Sequence, residues 1–175
     1  MLPSRTLVLG GVRSGKSRFA ESLLADTAGV CYVATGYPVA DDPEWADRVR
    51  AHQQRRPATW SSVESLDLAV LLGQPAPLLI DCIGLWLTRT IDACHGWDAP
   101  SLPAQVRTSM DALVEAWRRP GAVAVAVTNE VGLGLVPATA AGRRFGDELG
   151  GLNQRLAEAS DAVWLLVAGI PMRLR

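Results

Sequence analysis

Residues 10–17 read Gly-Gly-Val-Arg-Ser-Gly-Lys-Ser, a G-x-x-x-x-G-K-S spacing whose chemistry is phosphate binding. In such a loop the successive backbone N–H groups of Gly10, Gly11, Val12, Arg13, Ser14 and Gly15 form an anion nest. The Lys16 ammonium reaches the β- and γ-phosphates, and the Ser17 hydroxyl faces Mg²⁺. Lys16 is the only lysine among 17 basic residues, the rest being arginine. That exception fits a nest that accepts a narrow cation on a flexible stem and has no room for a planar guanidinium.

Further candidates stand just after short apolar runs, where the strands of a parallel sheet deliver polar groups to a common rim. Asp81 ends the run Leu78-Leu79-Ile80-Asp81. It is read either as the carboxylate that holds the Mg²⁺ shell beside Ser17 or as a cap for the following helix, and one carboxylate can do both. Thr35-Gly36 and Thr128-Asn129-Glu130-Val131-Gly132 follow two other runs and bring Thr35, Asn129 and Glu130 to the same rim. His52 lies on a helical pattern over 44–54, on one side with Trp45 and Val49. Periodicity alone leaves it open between a core histidine and a nucleophile. Arg48, Arg55 and Arg56 flank it, and Arg56 is the first choice for a phosphate ligand because Pro57 fixes the adjoining backbone.

These residues need a scaffold of alternating strands and helices. Apolar runs at 6–9, 30–34, 78–81, 123–128 and 162–167 predict strands, with a short last one at 172–174. Helical stripes appear at Phe19, Leu23 and Leu24, at Val106, Met110, Leu113, Val114 and Trp117, and at Ala141, Phe145, Leu149, Leu152 and Leu156. The alternation predicts an α/β fold of P-loop NTPase type, a mostly parallel sheet with helices on both faces, as a single domain over 1–175. The segment 94–103 reads as a surface loop without an assigned role.

The totals narrow the function further. A net charge of −1 argues against a generally basic nucleic-acid surface. Cys31, Cys82 and Cys94 have no C-x-x-C spacing and read as free thiols of a reducing compartment. Neither a secretion signal nor a membrane span is apparent, so a cytoplasmic enzyme is expected.

Taken in order, the P-loop, Arg48-Val49-x-x-His52, Arg56-Pro57-x-x-Trp60-x-x-x-Glu64, the strand ending at Asp81-Cys82, Thr128 to Gly132, and Gly151-Leu152-Asn153-Gln154-Arg155-Leu156 span nearly the whole chain. With them the sequence resembles the bifunctional adenosylcobinamide kinase / adenosylcobinamide-phosphate guanylyltransferase family of cobalamin biosynthesis. The resemblance implies phosphorylation of adenosylcobinamide by ATP or GTP, then transfer of GMP from GTP to adenosylcobinamide phosphate. It implies a guanylylated histidine at His52, nucleotide contacts including Arg56 and Glu64, Mg²⁺ at Ser17 and Asp81, and a homo-oligomer. Two positions depart from the family pattern. Asp81 stands where many members carry glutamate, and Ala51 replaces a histidine that some place beside the nucleophile.

Overall fold

A computed structural model describes residues 3–37, 50 and 56–175. Of the helix expected over 44–54 only residue 50 is described; His52 and Arg48, and Arg55 just beyond, lie outside the described residues. The strands are β1 (Arg5–Gly10), β2 (Cys31–Ala34), β3 (Ser61–Glu64), β4 (Leu78–Asp81), β5 (Ala124–Asn129), β6 (Ala162–Val167) and β7 (Ile170–Arg173). They form one seven-stranded sheet in the order β3-β2-β4-β5-β1-β6-β7. Every pairing is parallel except β6 with β7. The helices described are α1 (Lys16–Leu23), α2 (Leu68–Leu72), α3 (Ile83–Ala93), α4 (Ala104–Arg118) and α5 (Ala140–Glu158).

Strand side chains alternate between two apolar layers, as the two-residue pleat requires. Val8, Leu79, Val125 and Val127 pack with Ala20 and Leu24 beneath α1. Leu7, Leu9, Leu78, Ile80, Ala124 and Ala126 face the other way, under residues of α2 to α5. Because both faces are covered, the inner strands are continuous apolar runs, and β1 is buried along its whole length. The expected stripe of α4 is buried as read, Val106 through Trp117. In α5, Leu149, Leu152 and Leu156 are fully buried, while Phe145 packs at the margin of the same layer.

One buried cation fixes the base of the sheet. The Arg5 guanidinium donates to the carbonyls of Trp117 (2.9 Å), Arg119 (2.8 Å) and Ala122 (2.6 Å), which lie at and beyond the end of α4. The first two are acceptors that a helix end leaves without intrahelical partners, and together the three hydrogen bonds compensate burial of the charge.

The structure adds β3, which the sequence did not mark. It extends β7 to Ile170–Arg173, where a strand at 172–174 was expected. Ala168 (φ 50°) and Gly169 (φ 83°) turn the chain tightly, so the antiparallel return begins at once.

Candidate nucleotide-binding site

The rim is set by where the strands end. Gly10 of β1 pairs with Asn129 of β5 on one side and Leu166 of β6 on the other. Asp81 of β4 pairs with Ala34 of β2 and Val127 of β5. β1 leads through α1, on one face, to β2 beyond β5 and β4, whereas β5 leads through α5, packed on the opposite layer, to β6. The glycine loop thus issues where chain connections diverge, the place at which open α/β sheets bind ligands.

Residues 10–17 close into a loop against this rim. Gly15 has φ 90° and Arg13 φ 58°, and the Ser14 N–H donates to the Gly11 carbonyl at 3.3 Å. A Cβ on Gly10 would stand 2.4 Å from Ser14 Oγ and 3.0 Å from the Leu166 carbonyl oxygen, so the close approach of loop to strand requires glycine there. The Gly169 N–H donates to the Ser14 carbonyl at 2.9 Å, holding the β6–β7 turn against the loop. Gly15 caps α1 without a side-chain hydrogen bond, and no acidic residue occupies the first turn. The helix N-terminus therefore keeps its positive end for an anion. Lys16 Nζ reaches back to the Gly11 carbonyl at 3.1 Å, across the concavity that a phosphate would fill.

Ser17 and Asp81 meet as expected, with Ser17 Oγ 3.4 Å from Asp81 Oδ1. Two ligands on adjacent corners of an Mg²⁺ octahedron stand about 3 Å apart, given Mg–O bonds of ~2.1 Å. The pair fits that role with a small adjustment. Among the described residues no cluster of three His, Cys, Asp or Glu side chains is present, and the usual Mg²⁺ arrangement takes its other ligands from phosphates and water. The second oxygen of Asp81 accepts a 2.6 Å hydrogen bond from Tyr32. Burial first, then the Asp81 charge and this hydrogen bond, push the Tyr32 phenol well above its ordinary pKa.

Thr35 does not face the rim. It is fully buried, and its hydroxyl accepts from the Cys82 N–H (2.8 Å) and donates to the Cys82 carbonyl (2.6 Å). Its place is to tie the end of β2 to the end of β4, where a nucleotide contact had been expected. The Asp81–Cys82 peptide is cis. Arg56 Nη1 donates to Ser62 Oγ at 3.1 Å, and its guanidinium carbon lies 3.3 Å from the centre of the Tyr32 ring. Glu64 ends the edge strand β3, exposed and paired in register with Ala34. It sits on the same side of the sheet order as Arg56 and Tyr32, away from the glycine loop.

Asn129 and Glu130 are adjacent to the loop. The Glu130 N–H donates to the Gly10 carbonyl at 3.2 Å, and Glu130 Oε1 accepts from the Gly132 N–H at 2.7 Å. A cleft of about 360 Å³ opens here between Val12, Arg13, Glu130, Leu133 and Val167. Asn153, which the sequence reading quoted but gave no role, stabilises this corner. It accepts from the Thr128 hydroxyl at 2.8 Å and donates to the Asn129 carbonyl at 3.0 Å. A polar residue inside the leucine stripe of α5 was the available signal. The 94–103 segment is likewise fastened, since the Arg144 guanidinium donates to the carbonyls of Gly96, Trp97 and Ala99.

The cobinamide kinase / cobinamide phosphate guanyltransferase family model matches residues 6–174. The chain belongs to this family. The bifunctional adenosylcobalamin biosynthesis protein CobU of Salmonella typhimurium LT2 is 39% identical over 97% of this chain and 98% of its own. CobP of Pseudomonas aeruginosa PAO1 is 42% identical over 98% of this chain and 97% of its own. CobU of Escherichia coli K12 is 37% identical with 97% and 98% covered. Among solved structures, an ATPase from the type III secretion system of pathogenic bacteria superposes with a TM-score of 0.54 at 14% identity. It covers 94% of this chain and 51% of that one. The latter likeness is one of fold alone. Membership in the cobinamide kinase family agrees with the glycine loop, Asp81 and the Asn129–Glu130 corner sharing one rim.

Proposed function

We propose that the protein phosphorylates the aminopropanol hydroxyl of adenosylcobinamide and then transfers GMP from GTP to the resulting phosphate, giving adenosylcobinamide-GDP. The observation that carries this reading is the convergence of Lys16, Ser17 and Asp81 at one strand rim in a chain of this family. In the first step the substrate hydroxyl oxygen attacks the γ-phosphorus of ATP or GTP, the bond to the β-phosphate oxygen breaks, and the nucleoside diphosphate leaves. Loop N–H groups and Lys16 offset the charge that develops on the transferred group. Mg²⁺, held by Ser17 and Asp81, supplies further charge neutralisation when bound.

In the second step His52 attacks the α-phosphorus of GTP and pyrophosphate leaves. A phosphate oxygen of adenosylcobinamide phosphate then displaces the imidazole, breaking the N–P bond. A neutral imidazole, with an unperturbed pKa of ~6.5, is available as a nucleophile at neutral pH. Arg56 and Glu64 serve the nucleotide from the β2–β3 side. The enzyme works as a homo-oligomer in the cytoplasm: the family resemblance implies the assembly, and the free cysteines suit a reducing compartment.

Incubation with α-labelled GTP tests the reading. Wild type takes up acid-labile, alkali-stable label and releases pyrophosphate, and His52→Ala takes up none. Full labelling of His52→Ala refutes the covalent step. Phosphorylation of cobinamide without any labelling of wild type leaves a kinase alone.

A further inference from the structure

Tyr32 joins Asp81 to Arg56. It is 4% exposed, on β2, and its hydroxyl is committed to Asp81 Oδ2 while Ser17 stands at Oδ1. On the face of its ring lies the Arg56 guanidinium, itself steadied by Ser62. We propose that Tyr32 is a positioning residue for both transfer reactions: its hydroxyl orients the Asp81 carboxylate toward the Mg²⁺ position, and its ring seats Arg56 toward the nucleotide. This rests on the proposed metal role of Ser17 and Asp81.

A carboxylate on a short aspartate arm turns about its own axis, and each orientation offers the metal a different oxygen. A buried O–H donor on one oxygen removes that freedom and leaves Oδ1 to face Ser17. The ring acts separately. A guanidinium over an aromatic face is held by the ring quadrupole, more strongly where water is excluded. Arg56 Nε is buried and has no hydrogen-bond partner among the described residues, so the Tyr32 ring face is a main contact holding that end of the guanidinium.

Tyr32→Phe keeps the ring and removes the donor. With the full-length chain and GTP, Mn²⁺ affinity measured by electron paramagnetic resonance should fall about tenfold, the loss of one hydrogen bond to a charged group. GTP affinity in the presence of EDTA should stay within about twofold by the same reasoning, since no phosphate contact is lost. The kcat of the kinase step should recover at raised Mg²⁺, because mass action refills a weakened metal site and does not mend a disordered fold. Unchanged Mn²⁺ affinity in Tyr32→Phe, or an activity loss that Mg²⁺ does not recover, overturns the orienting role. Arg56→Gln tests the ring's part at a half-exposed position where folding is not at stake. It should raise the KM for GTP and leave the Mg²⁺ requirement alone, and in a double-mutant cycle with Tyr32→Leu its effect should largely vanish. Equal effects of Arg56→Gln with and without the ring overturn the seating role. If wild type itself binds no Mn²⁺ with GTP, the proposed metal site fails; if wild type binds it and Tyr32→Phe does so equally, only the inference about Tyr32 fails.

Discussion

Replacing Asn153 by aspartate changes one atom's chemistry with almost no change in volume, and the surroundings determine the outcome. The Asn129 carbonyl can only accept, so the group 3.0 Å from it must be the amide nitrogen, and the other side-chain atom accepts from Thr128 at 2.8 Å. In Asn153→Asp the Thr128 bond survives. At the other contact a donor becomes a negative oxygen facing a carbonyl, at a residue only 6% exposed. Loss of one buried hydrogen bond with the acceptor left unsatisfied costs about 1–3 kcal/mol, and an incompletely paired buried charge adds to it. We expect about 3 kcal/mol at pH 7, which in a chain of this size lowers Tm by roughly 6–12 °C. The penalty should depend on pH with a defined sign. The folded state holds the new carboxyl better when protonated, so its folded pKa lies above the unfolded value of ~3.9. Near and below that value the protonated carboxyl donates to Asn129 and stability approaches wild type. As pH rises through the folded pKa the stability is lost. Urea unfolding of both proteins between pH 4 and 8 measures the difference. A gap that is pH-independent, or below about 0.5 kcal/mol at pH 7, is within ordinary surface-substitution scatter and would refute the assignment of Asn153 as the clamp on this corner.

Lys16→Arg should lower kcat/KM for phosphoryl transfer by about a hundredfold or more with Tm almost unchanged. The loop closes around a single narrow ammonium, and a displaced phosphate loses the electrostatic stabilisation of one aimed donor. Wild-type kinetics in that variant would contradict the geometric reading. Gly10→Ala should weaken GTP binding at least about tenfold, because the added methyl meets Ser14 Oγ and, less yieldingly, a backbone carbonyl of β6, and overpacking of this kind costs about 1–3 kcal/mol. Calorimetric titration with Mg²⁺·GTP reads it, and affinity within twofold of wild type would show that the loop gives way freely.

The parts of the fold legible in the sequence are those where one signal was unopposed. β1, β4, β5 and β6 are apolar runs because helices or neighbouring strands cover them, and their boundaries came within a residue or two. β3 left no such trace. Its residues Ser61, Ser62 and Glu64 are exposed at the sheet edge, so nothing selects an apolar pattern there. The glycine loop was readable because its spacing is dictated by a ligand. Thr35 misled for a related reason: position after a strand suggested the rim, but hydroxyl direction is a tertiary fact, and it points inward to Cys82. Tyr32 was hidden because a tyrosine in a strand looks like core, and most of it is. Only coordinates show that its oxygen ends at Asp81. His52 lies outside the described residues, so its role stands on the family pattern and the labelling test.

Two transfers at one glycine loop place opposite demands on its surroundings. The kinase step reacts at the outermost phosphorus and the guanylyl step at the innermost, yet the loop has one backbone path, fixed to β5 through Glu130 and to the β6–β7 turn through Gly169. A rigid nest does not slide along a triphosphate, so the change of reacting centre must come from what approaches it. On the β5–β6 side the approach is bounded by Glu130, Leu133 and Val167 around an open cleft. On the β2–β3 side it is bounded by Asp81, Tyr32 and Arg56, directly after the segment that carries His52. The proposed chemistry assigns the nucleophilic histidine to the second side, which leaves the first for the corrinoid hydroxyl. Substitutions lining the cleft, such as Leu133→Asp, should therefore raise the KM for cobinamide in the kinase assay and leave self-guanylylation of His52 intact. If Leu133→Asp instead abolishes labelling by GTP while phosphorylation proceeds, the two approaches are the other way round.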